Sequence, residues 1–256
     1  MDLNLKDKLF VVTGASSGFG KSTALALVNE GAHLIINARG EERLVAMAGE
    51  YPDQISYVEG DITTDAVISE IFRKLNGRFL DGIVINAGGP PAGSFLETEI
   101  TDWDKAYESV LRWKVKIAKE ALDVFLEQKY GRMIFIESVS VKQPVENLVL
   151  SNALRMAVVG MVKTLSQEVA AQGITANIIA PGYHDTSALD RLIKAKEKMG
   201  FSEDEARSIF EKATGVGYLG DPDDLGSLVA WMLSPKSKYI TGQTLSIDGG
   251  VLKGVF

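Results

Sequence analysis

The sequence predicts an α/β fold: a single domain with a doubly wound, seven-stranded parallel sheet and helices on both faces. Short runs rich in Val and Ile alternate with longer segments of helical period, which is typical of this class. The 256 residues are 46% apolar, enough to bury one large core. No repeat or linker-like stretch marks a boundary, so residues 1–256 are expected to form one domain.

The predicted elements follow one another in the order expected for parallel pairing. The strand candidates are residues 9–14, 33–38, 55–61, 81–88, 132–138, 175–182 and 243–250. The helix candidates are residues 21–31, 41–51, 66–77, 101–130 and 152–171. Because helices separate the strands, the sheet should be parallel and its connections right-handed.

One segment, residues 187–217, departs from this alternation. It is rich in Lys and Glu and lies between the last two predicted strands, so we expect a helical, lid-like excursion that covers a substrate site. Its apolar side chains are candidates for lining a mixed pocket. They are Leu189, Leu192, Ile193, Met199, Phe201, Ile209 and Phe210.

Composition excludes several kinds of partner. A formal charge of −7 disfavours nucleic acid, and no apolar run approaches the roughly 20 residues of a membrane span. The chain has no cysteine, and its two histidines, His33 and His184, are far apart in sequence, so no metal site is expected. Without a recognisable secretion signal, the expected location is the cytoplasm.

The first predicted strand runs into a glycine-rich turn, residues 13–20, and a helix follows directly. Glycines in this place let the backbone approach a pyrophosphate, and the helix N-terminus favours the anion. An ordinary strand-to-helix turn is the alternative. The cofactor-binding candidates here are Gly14, Ser16, Ser17, Gly18, Phe19 and Gly20.

The end of the second predicted strand distinguishes between two cofactors. A fold that prefers NAD usually places a carboxylate there for the ribose 2′-hydroxyl, but this chain has Arg39. A guanidinium can bind a 2′-phosphate through charge-assisted hydrogen bonds, which favours NADP(H) over NAD(H). Alternatively, Arg39 only begins a solvated helix with Glu41, Glu42 and Arg43.

Further motifs follow the later strands. Asp61 follows the third predicted strand, and residues 86–88 (Asn-Ala-Gly) follow the fourth. Ser138 follows the fifth strand, and Pro181-Gly182 with Thr186 follows the sixth. The motif TGQTLSIDGG lies near the end of the sequence. Over nearly its whole length the chain therefore resembles the short-chain dehydrogenase/reductase family. Within that family it is most similar to the branch of 3-oxoacyl-[acyl-carrier-protein] reductases and sugar dehydrogenases.

The resemblance implies a Rossmann fold and an NADP(H)-dependent oxidoreductase acting on a carbonyl or hydroxyl group of a small-molecule substrate. It also implies a homo-oligomer, usually a tetramer built on the helices of residues 101–130 and 152–171. The implied cofactor contacts are an adenine pocket with Asp61 and Ile62, a wall of Asn86, Ala87 and Gly88, and a nicotinamide side with Pro181, Gly182 and Thr186.

The same resemblance identifies a departure at the catalytic positions. The family follows its serine, here Ser138, with a Tyr-x-x-x-Lys pair that begins thirteen residues later, where this chain has Ser151 and Arg155. The family's asparagine aligns best with Val110, so only Ser138 of the usual four remains. A serine is a weaker and shorter acid than a tyrosine, and arginine keeps the positive charge but does not give up a proton.

Arg155 is predicted to begin an apolar helical stripe, so it must find an acceptor. The cofactor's ribose is the first candidate. Solvent and Glu137 are the alternatives, and Ser151 would then be a helix cap. Ser138 is expected to contact substrate, although a strand-end serine can also bond only to local backbone.

If carbonyl chemistry persists, another group must supply the proton. His184 titrates near neutrality, and the resemblance places it beside the nicotinamide. Its neighbour Tyr183 is the weaker choice. Either residue can equally serve only in packing.

Two other functions remain open. One is a nucleotide-binding protein without hydride chemistry, acting as a regulator or partner subunit. The other, ranked last, is a dehalogenating relative; those proteins carry arginine at the lysine position but keep the tyrosine and lose the glycine-rich turn, which is the reverse of this chain.

Overall fold

The computed structural model describes residues 1–255 and confirms the predicted fold class. Seven parallel strands form one sheet in the order β3-β2-β1-β4-β5-β6-β7. The strands are β1 Leu9–Thr13, β2 His33–Ala38, β3 Ile55–Glu59, β4 Gly82–Ile85, β5 Gly131–Ile136, β6 Ile174–Pro181 and β7 Thr244–Ile247. The strand order reverses between β1 and β4, the position at which open α/β sheets bind ligands.

The helices cover both faces of the sheet. They are α1 Gly18–Asn29, α2 Glu41–Glu50, α3 Asp65–Arg73, α4 Ile100–Ala106, α5 Trp113–Gln128, α6 Val149–Val169, α7 Ser187–Glu197, α8 Glu203–Ala213 and α9 Pro222–Leu233. On one face, α3, α5 and α6 pack a core that includes Trp113, Phe125 and Val158. On the other, α1, α2 and α9 pack a core that includes Leu27 and Leu44. Within residues 1–255, no helix has the length and hydropathy of a bilayer-spanning segment.

The predicted helix over residues 101–130 is interrupted. A π-helical turn, Tyr107–Arg112, lies between α4 and α5. Inside it the indole Nε1 of Trp113 donates to the Ser109 carbonyl at 2.9 Å. Such turns insert an extra residue into a helix and occur frequently at functional sites.

The structure also contains α9, a helix that the sequence analysis did not identify. Its start carries two standard signals: Asp221 caps the helix by accepting from Asp223 N at 2.9 Å, and Pro222 occupies the first turn. Helix α9 covers the face of the sheet that α1 also covers, and the two helices pack closely at Gly226. A Cβ at this position would lie 2.7 Å from the Ser22 carbonyl oxygen.

Two helical glycines give a matched test of this packing. Gly226→Ala should lower the free energy of unfolding by about 1–3 kcal/mol, because the methyl group forces α1 and α9 apart. Gly160→Ala, in an exposed part of α6 with open space around the position, should instead raise it by about 1 kcal/mol. Urea denaturation of both variants measures the difference, and destabilisation of equal size would contradict the assigned contact.

Candidate active site

The turn after β1 is held tightly against its neighbours. Gly14 and Gly18 have φ of +64° and +50°, which L side chains rarely adopt. A Cβ on Gly20 would lie 2.2 Å from the Gly14 carbonyl oxygen. The turn leads directly into the N-terminus of α1, whose cap residue, Ser17, uses no side-chain hydrogen bond for capping. The backbone N–H groups of this end are therefore available to an anion.

The end of β4 is fastened to the end of β1. Thr13 Oγ1 donates to the Asn86 carbonyl at 2.8 Å and accepts from Asn86 N at 2.8 Å. A Cβ on Gly14 would lie 2.7 Å from the same carbonyl oxygen. Of the wall residues 86–88, Asn86 thus holds the turn in place, while a Cβ on Gly88 would meet nothing within 4 Å.

The ends of β2 and β3 lie on the other side of the turn. Asn37 is buried and donates to the carbonyls of Val58 and Gly60 at 2.9 and 3.2 Å, so it joins the two strands. Arg39 is exposed just beyond it. Asp61 is also exposed, with Oδ1 accepting from Thr63, whereas Ile62 is buried. Residues 39 and 61 therefore flank one end of the turn.

The segment after β6 reaches the glycine-rich turn from the opposite side. The Thr186 side chain lies beside Gly18, 3.5 Å from where a Cβ would be. The ring of His184 meets that of Phe19 edge to face, with centroids 5.1 Å apart. Gly182 lies against Asp248 in the segment after β7. The sequence candidates after β1 and β6 are thus brought together.

His184 is buried, and burial lowers its pKa. Its Nδ1 lies 3.2 Å from the Gly182 carbonyl, and the ring also covers Gly220. Tyr183 packs its ring on Phe210 with centroids 5.1 Å apart, and burial raises the pKa of its phenol. These surroundings give both side chains a packing role, and their predicted role as proton donors stays a prediction.

Four side chains from α5, β5 and α6 form a buried cluster, which we call the charge cluster: Lys114, Glu137, Ser151 and Arg155. Lys114 Nζ binds Glu137 Oε1, and Arg155 Nη1 donates to Glu137 Oε2 at 2.8 Å. Arg155 Nε donates to Ser151 Oγ at 3.1 Å. The acceptor of Arg155 within the protein is therefore Glu137, one of the alternatives foreseen from the sequence. Ser151 does not cap α6, because the helix begins two residues earlier at Val149.

Lys114 was not foreseen, although a signal for it existed. Val110, Ile117 and Ala121 lie on the same helical stripe and are all buried, so a lysine among them needs a partner, as Arg155 does on α6. Burial lowers the pKa of Lys114 to about 8, with Glu137 opposing and Arg155 adding to the shift. Lys114 is therefore a group that titrates near neutral pH at this end of the sheet.

The two serines keep their hydroxyl hydrogens available. Ser138 Oγ accepts from Ser140 N at 3.1 Å, the local contact considered from the sequence, and Ser151 Oγ accepts from Arg155. Because both oxygens serve as acceptors in these bonds, each hydroxyl can still donate to another group.

The lid-like segment consists of α7 and α8. Leu189, Ile193 and Phe210 pack into a small core of their own, and their role in lining a substrate pocket stays a prediction. Met199, Phe201 and Ile209 are exposed. A cavity of about 110 Å³ lies beneath the end of this segment, lined in part by Tyr183 and Tyr218.

The lowered pKa of Lys114 has a consequence for stability. Between about pH 8 and the unfolded-state pKa of about 10.4, the unfolded chain binds the Lys114 proton and the folded chain does not. As the pH rises through this window, the free energy of unfolding of the wild type should therefore increase relative to that of Lys114→Met, by an amount on the order of 3 kcal/mol.

Urea denaturation of both chains across this window measures the gain. Lys116→Met, which removes the same charge from a lysine paired with Asp65 at 2.9 Å on the outer side of α5, controls for net charge. A wild-type advantage that stays constant with pH would contradict a lowered Lys114 pKa.

Comparison with known proteins agrees with this geometry. A family model described as enoyl-(acyl carrier protein) reductase matches residues 14–252. The 3-oxoacyl-[acyl-carrier-protein] reductase FabG of Rickettsia bellii is 30% identical over 250 residues, covering 98% of this chain and 99% of the relative. The 3beta-hydroxysteroid dehydrogenase 1 of Eggerthella lenta is 31% identical over 255 residues, covering 97% and 95%.

Solved structures share the fold over the whole chain. An actinorhodin polyketide ketoreductase with NADPH superposes with a TM-score of 0.90 at 28% identity, covering 97% of this chain and 98% of that chain. L-sorbose reductase from Gluconobacter frateurii, complexed with NADPH and L-sorbose, superposes with a TM-score of 0.91 at 25% identity, covering 100% of both. The resemblance read from the sequence motifs is confirmed, and the chain belongs to the short-chain dehydrogenase/reductase family.

Proposed function

We propose that the protein is an NADP(H)-dependent oxidoreductase that interconverts a carbonyl and a hydroxyl group on a small molecule, similar to the 3-oxoacyl reductases, with an atypical active site. The observation that carries this proposal is the intact glycine-rich turn at the strand-order reversal, with Thr186 against it. Relatives at 30–31% identity are reductases and dehydrogenases of such groups, and two structural neighbours hold NADPH.

The residues at the strand ends fit a phosphorylated dinucleotide. The N-terminus of α1 would bind the pyrophosphate, where a Cβ on Gly14 or Gly20 would clash with backbone. The exposed guanidinium of Arg39 would bind the 2′-phosphate. Asp61 and Ile62 would border the adenine, residues 86–88 the cofactor's wall, and Pro181, Gly182 and Thr186 the nicotinamide side.

The cofactor supplies a hydride for the carbonyl carbon, and the protein must then stabilise the oxygen. Ser138 and Ser151 can each donate a hydroxyl hydrogen to that oxygen. Arg155 cannot transfer a proton, so it acts through its charge. A water molecule then protonates the oxygen, which gives the alcohol and hydroxide; His184 and Tyr183 remain the alternative donors within the chain.

A nucleotide-binding protein without turnover is the second candidate. Its specific support is that Ser151 and Arg155 bond to each other where the family has Tyr and Lys, and that Arg155 also pairs with Glu137. Such a site would still bind the cofactor but would lack an acid with a pKa suitable for protonating the substrate oxygen.

Assembly into a homo-oligomer is part of the proposal. Large apolar side chains are exposed on and beside the helices implicated by the family resemblance, among them Phe95, Leu96, Ile100, Tyr107 and Met156. Leu96 is 96% exposed, and a tetramer would cover such residues. A cytoplasmic location remains an expectation.

The cofactor preference can be tested at Arg39. Arg39→Ala should weaken NADPH binding by about tenfold or more, because it removes a charge-assisted hydrogen bond, and leave NADH binding unchanged. Arg43→Ala, an exposed arginine four residues further along, is the matched control. Fluorescence titration measures all four affinities, and equal loss for both cofactors would show that Arg39 does not read the 2′-phosphate.

The catalytic departure can be tested by restoring the family pair. Ser151→Tyr with Arg155→Lys should raise ketone reduction at least about tenfold over weak wild-type activity, because a phenol replaces water as the proton donor. Initial rates with NADPH and a panel of small ketones and 3-oxo esters measure this, with each single variant as a control. Equal activity would mean that another acid already operates, and NADPH binding with no reduction by the wild type would support the second candidate.

A further inference from the structure

The charge cluster holds one positive charge in excess. Lys114 and Arg155 bind different oxygens of Glu137, so two cations share a single carboxylate. The side chains of Lys114, Glu137 and Arg155 are only 3%, 0% and 8% exposed. Because burying charge is costly, and one cation alone would neutralise Glu137, the second cation requires an explanation beyond stability.

A purely structural role would be served by an apolar residue at position 114. Its stripe partners are Val110 in the π-helical turn and Ile117 and Ala121 on α5, and the core beside them is aliphatic and aromatic. A methionine there would leave the pair of Glu137 and Arg155 intact at 2.8 Å. The lysine therefore adds charge where the packing does not demand it.

One nitrogen of the charge cluster is left to bind a ligand, the second terminal nitrogen of Arg155, Nη2. Its Nη1 and Nε are bound to Glu137 and Ser151, whereas Nη2 has no hydrogen-bond partner among residues 1–255. Gly89 lies over it: a Cβ on Gly89 would be 3.0 Å from Nη2. Glycine at this position therefore leaves room beside a donor that has no partner, on a side chain that is only 8% exposed, directly after the cofactor wall of residues 86–88.

We propose that Lys114, Glu137 and Arg155 form an anion-binding site whose ligand is a negatively charged oxygen at Arg155 Nη2. The inference rests on the proposed function for its occupant, since hydride addition converts a carbonyl oxygen to such an oxygen. Glu137 is the positioning residue that orients the guanidinium, and Lys114 supplies the charge that keeps the site cationic. The site thus stabilises the product oxygen without a phenol.

Lys114 makes this site sensitive to pH. From β5 it faces Glu137, from α6 it faces Arg155, and on its own helix its Nζ lies 5.7 Å from the centroid of the Trp113 ring. Asp65 of α3 and Arg112 of the π-helical turn pair with each other. With Lys114 protonated, below a pKa of about 8, the charge cluster carries its excess charge; above it, the cluster is neutral and anion affinity should fall.

Acetate serves as the probe for the oxygen anion. Calorimetric or NMR titration of the full chain at about pH 6.5 and about pH 9.5, on either side of the Lys114 pKa of about 8, should show at least tenfold tighter binding at the lower pH. Lys114→Met should bind as weakly at both pH values as the wild type does at the higher one. Lys116→Met, on the outer side of α5, should behave as the wild type.

A second variant protects the test against misfolding of Lys114→Met. Gly89→Ala leaves every charge in place and crowds Nη2, so it should also weaken acetate binding at the lower pH. Wild-type protein that binds no acetate, or binds it equally at both pH values, overturns the inference. So does acetate binding by both variants at wild-type affinity.

Ketone reduction is measured separately on the same proteins. If Lys114→Met loses ketone reduction but retains its affinity for NADPH, the anion site also takes part in the reaction. If acetate binding follows the expected pattern and the wild type reduces no ketone, the proposed reaction fails while the anion site stands. The two failures are therefore distinguishable.

Discussion

All seven strands run parallel, and this constraint collects the functional side chains. Each strand ends at the same edge of the sheet, so the residues that follow β1, β2, β4, β5 and β6 meet there although they are up to about 170 residues apart in sequence. The close approach of Gly14 to Asn86, together with the hydrogen bonds of Thr13 Oγ1 to the N–H and the carbonyl of Asn86, fixes the reversal point. Everything proposed for the cofactor depends on this junction.

Most of the fold could be predicted because apolar periodicity reports burial directly. All seven strands were predicted from this periodicity, each within a few residues of its observed bounds, and the glycine-rich turn was predicted from its glycines between a strand and a helix. The π-helical turn could not be, since one extra residue leaves the apolar pattern of residues 101–130 close to that of a continuous helix. Helix α9 was not predicted, although Asp221 and Pro222 are standard signals of a helix start.

The candidate site was predicted less completely. Sequence motifs located the cofactor side, where local backbone shape matters and each residue can be judged within its own turn. The charge cluster depends on contacts between residues 114, 137 and 155, which come from three different elements. Glu137 was considered as a partner of Arg155, but Lys114 was not, because its contact with Glu137 follows from the packing of α5 on the sheet and not from a local motif. The role of the lid residues stays a prediction, because an apolar side chain in a helix pair packs equally well inside the pair.

The π-helical turn determines which side chains face the strand ends. An α-helix advances about 100° per residue, so one inserted residue rotates everything before it relative to α5 by that amount. Val110 lies inside the turn, and Lys114 is the second residue of α5. In a family member that lacked one residue of the π-helical turn, a lysine at the position of Lys114 would stay beside the end of β5. Helix α4 would be rotated and would present a different face to the site. Insertions and deletions in this segment would therefore change which residues of α4 face the site, while the position of the charge cluster stayed the same.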